Sequence, residues 1–171
     1  MSLTQVGPAL ISSIAGVSGG GKLLQTITTV KLDTFSTTST SMTDVTGLSV
    51  QITPSSTSSK ILVTGAITGA GNHFVWCRIL RDSTQLQTPP DLGNRAPATI
   101  VHNGNNVTHS LDTLPISILD SPSSTSQLTY KVQIMIYLAA SYINRSTRDE
   151  NNTGKYDSRG SSSITVQEIS E

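Results

Sequence analysis

The clearest order in this chain is a two-residue alternation. In Tyr130-Lys131-Val132-Gln133-Ile134-Met135-Ile136-Tyr137-Leu138 every even position is apolar or aromatic, while Lys131 and Gln133 point the other way, as in a strand with one face in a core. Val132, Ile134 and Ile136 are therefore core positions. Between residues 34 and 67 two apolar segments, 45–52 and 61–67, flank Thr53-Pro54-Ser55-Ser56-Thr57-Ser58-Ser59. Such turn formers satisfy their own backbone locally, which makes the unit strand, loop, strand. The device recurs where Pro122-Ser123-Ser124-Thr125-Ser126 precedes 128–138. Ile61, Val63 and Ile67 face one way and Leu62 and Ala66 the other, so this strand is apolar on both faces and suits the middle of a sheet. On the next strand Trp76 and Phe74 share one face and are its largest hydrophobic groups.

Extended the length of the chain, the pattern predicts strands at 23–34, 42–52, 60–69, 73–81, 98–101, 107–119, 128–139, 142–144 and 162–169. Thr, Val and Ile dominate them, and Pro, Gly, Asn and Ser punctuate at short intervals. No segment of the body sustains an apolar period of 3.6. The expected fold is all-β: an antiparallel two-sheet sandwich, jelly-roll-like, over residues 22–171. Two long irregular insertions, 87–97 and 145–160, interrupt it, and the second is the most charged part of the chain. Loops of this kind are where sandwiches carry function.

Residues 1–21 read differently. Val6, Leu10, Ile11, Ile14 and Val17 are spaced for one face of a short helix or for an extended arm, Pro8 suits a helix start, and Gly19-Gly20-Gly21 breaks the chain. An isolated arm of this length needs a partner to bury its apolar side. It is expected to anchor the domain on a neighbouring subunit or particle component; the alternative is a frayed terminus.

Composition narrows the partners. Eleven Lys and Arg balance eleven Asp and Glu, and charged residues make up only 13% of 171, so there is no electrostatic case for nucleic acid or an anionic membrane. The apolar share of 35% is lean, which favours thin sheets and burial between copies. Neither a signal peptide nor an apolar run of about 18 residues is found, so no membrane insertion is expected. The single cysteine, Cys77, lies in an alternating run and reads as a small buried hydrophobe.

Candidate chemistry is thin. Gly16-Val17-Ser18-Gly19-Gly20 has the letters of a serine nucleophile elbow but lacks the strand and helix that must flank it. Residues 16–22 spell a phosphate loop except that Leu23 stands where a Ser or Thr must meet magnesium. His73, His102 and His109 form no metal-ligand spacing, and Asp91, Asp112 and Asp120 are equally scattered, so no metal or cofactor is expected. Three sequons begin at Asn106, Asn144 and Asn151 and carry meaning only in a secreted chain. A sugar-binding loop has more to offer: Tyr142, Tyr156, Asn144, Asn151, Asn152 and Asp157 fall in or beside 145–160, with Arg145 and Arg148 among them. Aromatics are only 4% of the chain, which argues against an extended stacking platform.

Several of these stretches, Asp33-Thr34-Phe35-Ser36, Asp44-Val45-Thr46-Gly47-Leu48-Ser49-Val50, residues 52–63, residues 119–133, Tyr142-Ile143-Asn144-Arg145-Ser146 and residues 162–169, together resemble small virion structural proteins of tailed phages, above all marine and cyanobacterial ones. The resemblance covers residues 23–169. It implies a virion protein assembled in the host cytoplasm; the single compact domain without a repetitive shaft, the neutral polar surface and the apolar arm then point to a non-enzymatic homotrimer that decorates the head and cements the major capsid protein. The alternative it implies is a tail-fibre or receptor-binding head, joined to a tail component by its arm and touching a host glycan or protein through Tyr142, Asn144, Arg145, Arg148, Tyr156 and Asp157. That alternative predicts exposed aromatics at the loop end away from the arm. A glycan-active enzyme would need two carboxylates roughly 5–10 Å apart in a cleft, and no pair is recognisable.

Overall fold

In the computed structural model, residues 21–71, 73–90, 93–103 and 107–171 are described. Apart from Gly21, the arm, with Val6, Leu10, Ile11, Ile14, Val17 and the Ser18 motif, lies outside them.

The described chain is all-β. Its strands are β1 (Leu23–Lys31), β2 (Phe35–Thr37), β3 (Thr43–Ile52), β4 (Lys60–Gly71), β5 (Phe74–Arg81), β6 (Thr84–Leu86), β7 (Ile100–Asn103), β8 (Asp112–Asp120), β9 (Leu128–Ile136), β10 (Ser141–Ile143) and β11 (Ser162–Ile169). They form two antiparallel sheets that pack face to face. One sheet has the order β1-β11-β4-β8, with β10 and β2 continuing from the far part of β4; the other has the order β3-β9-β5-β7, with β6 beside β7 on the same edge of β5. The nesting is regular: β1 pairs with β11, β3 with β9, β4 with β8 and β5 with β7. Among the principal strands the first thus meets the last and the pairing closes inward, as when one long antiparallel ribbon is rolled into a jelly-roll-like sandwich.

Alternation places the core. Ile61, Val63 and Ile67 of β4, Ile116 and Ile118 of β8, and Ile164 and Val166 of β11 face Val132, Ile134 and Ile136 of β9 and Val75, Cys77 and Ile79 of β5, all buried. β4 is central, hydrogen-bonded along both edges. Trp76 is on the opposite face of β5, because the odd positions of that strand fill the core. Pro115 sits within β8 and disturbs nothing, since among the described strands β8 pairs with β4 alone and an edge strand does not need that N–H.

β3 departs from simple alternation. Between Asp44, opposite Gln133, and Ser49, opposite Lys131, it advances five residues while β9 advances two. Val45 and Leu48 would lie on opposite faces of a regular strand, yet both are buried. The bulge turns both inward, and Gly47 supplies the left-handed backbone it needs, at φ 82°.

The register gives the sandwich two ends. At the lower end β1 starts, with Leu23 opposite Ile169 and Ile169 opposite Lys60. There Arg81 of one sheet holds Asp120 of the other through Nη1 at 2.7 and 2.8 Å, and the buried Tyr130 hydroxyl donates to the same carboxylate at 2.8 Å. Burial and then Asp120 push the Tyr130 phenol far above its usual range. At the upper end lie Val75 opposite Ile136 and Gly71 opposite Ser141. Here His102 Nε2 and Asp112 Oδ2, 2.6 Å apart, link the sheets.

Candidate functional site

The charged insertion 145–160 rises from the upper end, and its charges answer one another. Asp157 is its centre: Arg148 donates to Oδ2 from Nε at 3.0 Å and Nη2 at 2.6 Å, and the Ser146 hydroxyl donates to Oδ1 at 2.6 Å. Arg148, then Ser146, holds this carboxyl below the usual range. Arg159 grips Asp149 with a two-pronged contact at 2.6 and 2.7 Å, the geometry in which a guanidinium matches a carboxylate. Arg145 lies 4.4 Å over the Tyr142 ring and donates to the carbonyls of Ser146 and Thr147. The loop is a knot rather than an open array of donors.

Asn144, read from the sequence as part of this contacting loop, does not reach the surface: it is 0% exposed. Its amide donates to the carbonyls of Lys31 and Asp33 at 2.8 and 2.9 Å, and its Oδ1 accepts from Ser162 at 2.7 Å. With φ at 62°, it is the left-handed corner that ties the loop to β1 and β11, a conformation asparagine tolerates better than most residues. Of the six residues proposed for partner contact, the structure thus joins Arg148 to Asp157 and Arg145 to Tyr142, buries Asn144, and leaves Tyr156 outermost at 67% exposure. Tyr156 lies beside His109, with ring centres 6.3 Å apart.

A second feature at the same end was not singled out from the sequence. On the outer face of the β3-β9-β5-β7 sheet, Trp76 meets Tyr137 edge to face, with centroids 6.5 Å apart and planes at 74°. With Thr40, His73, Asn94, Ala96, Met135 and Ile136 they line an open groove of about 470 Å³. Tyr137 is 68% exposed. The sequence carried a signal for it. Along 131–137 the odd positions read Lys, Gln, Met, Tyr, so the solvent face of β9 turns apolar at its end, beside the outward Trp76 in register with Met135.

Among the described residues no group of three or more His, Cys, Asp or Glu side chains is placed to hold a metal ion. Cys77 is fully buried and its thiol is pushed up to about 12 by burial, so it packs as a hydrophobe, as expected. No known protein family matches the chain, and no curated protein is significantly similar to it.

Proposed function

We propose that this is a non-enzymatic virion protein of the receptor-contacting kind, a β-sandwich head that meets its partner with the end opposite the one where the chain enters β1. One observation carries the reading. Tyr137, Tyr156, the Trp76 groove and the 145–160 knot all gather at the upper end, whereas Leu23, where β1 begins, lies at the lower end. A domain held at one end and rich in exposed aromatics at the other is built to present a surface outward. The virion setting rests on the resemblance of residues 23–169 to tailed-phage structural proteins.

Head decoration is a second reading, and the outer face of the β1-β11-β4-β8 sheet favours it. Thr28, Thr165, Thr64 and Ser117 form one row across its four strands, and Thr26, Gln167, Leu62 and Leu119 form the next. No charged side chain interrupts these rows, so identical faces could pack in a homotrimer or against a capsid subunit without repulsion. Labelling an engineered site within 151–160 and imaging intact particles separates the readings. Label confined to the tail is expected, and label spread over the head would replace receptor contact with cementing.

A further inference from the structure

We propose that the Trp76–Tyr137 groove is a binding site for a neutral saccharide, a proposal that rests on the receptor-contacting reading above. Three properties of the groove select this ligand. Its wall is two aromatic rings set at 74°, and the negative face of such a ring attracts the weakly positive C–H face of a pyranose. Its remaining described lining includes a hydroxyl, an imidazole and a carboxamide, from Thr40, His73 and Asn94, which donate and accept as a ring of hydroxyls requires. None of those described residues carries a carboxylate, ammonium or guanidinium, so the described lining suits a neutral ligand. The volume of about 470 Å³ lies within the roughly 300–1,000 Å³ of small-ligand sites.

An aliphatic ligand fits less well, because the groove is open and leaves such a ligand half in water. A flat saccharide tolerates that: one face stacks while its edge hydroxyls stay hydrated or bind the rim. The arrangement also explains why two large aromatics occupy a solvent face in a chain so poor in them.

Trp76 is the chain's single tryptophan, so its emission reports on the groove directly. The full chain is titrated with glucose, galactose, N-acetylglucosamine and lactose, with N-acetylneuraminic acid as an anionic control. A saturable change is expected for at least one neutral sugar, weakened roughly tenfold in Tyr137→Ala, as loss of one aromatic contact implies. Tyr137 is exposed, so this variant should melt where the parent does; Asn94→Ala, in a loop, gives a second variant that should also weaken binding. No saturable response to any neutral sugar, a response to the anionic sugar alone, or equal binding by Tyr137→Ala would each overturn the saccharide site. Adsorption of the labelled protein to the cells the particle infects keeps the two proposals apart. If Tyr137→Ala abolishes adsorption while sugars fail to bind, receptor contact stands with a protein partner and the saccharide is wrong. If sugars bind but Tyr137→Ala adsorbs normally, the site stands and the groove is not the receptor surface.

Discussion

Glu168 illustrates how much one side chain can settle. It is wholly buried near the lower end, and among the described residues no salt bridge reaches it. Instead it accepts from the Ser55 amide at 2.7 Å, the Ser55 hydroxyl at 2.6 Å and Gln25 Nε2 at 2.6 Å. Burial alone would raise its pKa, but these donors outweigh it and bring the carboxyl from 4.5 down to about 2. A folded pKa below the unfolded one stabilises the fold fully above pH 4.5, and the contribution is lost as pH falls toward 2. Glu168→Gln is expected to cost roughly 2 kcal/mol at neutral pH, since hydrogen bonds to a charged group go. It should also flatten the dependence of the unfolding midpoint on pH between those limits. Urea unfolding monitored by circular dichroism at several pH values checks both. The sequence marked Ser55 as a turn former and Glu168 as one residue of an alternating strand; only the fold brings the two together.

At the scale of elements, alternation and turn formers located the strands well. The expected 60–69 and 128–139 correspond to β4 and β9, and the central place of β4 followed from its two apolar faces. The strands missed were β2 and β6, each of three residues. That is too short to show a period: β6 pairs with the end of the longer β5, and β2 with the equally short β10. The 145–160 insertion was legible as charged and irregular, but not as self-paired, because its ion pairs span ten residues or so of a loop without periodicity. Asp157→Ala removes the acceptor of both Arg148 and Ser146 and is expected to loosen this loop while leaving the sandwich intact. Limited proteolysis should then cut within 145–160 at least several-fold faster, with the thermal midpoint nearly unchanged. Equal cleavage rates would mean that the Arg159–Asp149 pair and the Asn144 corner hold the loop without Asp157.

For the whole molecule, the decoration reading proposed above makes the hydroxyl and amide rows of the β1-β11-β4-β8 sheet the surface on which copies would meet. Thr165→Lys places an ammonium in the middle of its hydroxyl row, where symmetric packing would bring like charges together at a cost of several kcal/mol. Light scattering is expected to show a multimer for the parent and a monomer for the variant, with an unchanged melting midpoint; an unchanged mass would move the contact elsewhere. What the sequence determined by itself was local. A period of two says which side chains share a face, turn formers say where strands stop, and balanced sparse charge leaves a surface of hydroxyls and amides. Which faces become neighbours was decided by tertiary structure. The groove draws on residues near 40, 73–76, 94–96 and 135–137, the Asn144 corner ties together strands more than a hundred residues apart, and β1 meets β11 across the whole chain. Such contacts depend on the order in which strands pair, and pairing is set by the burial of both sheets at once rather than by any stretch of sequence.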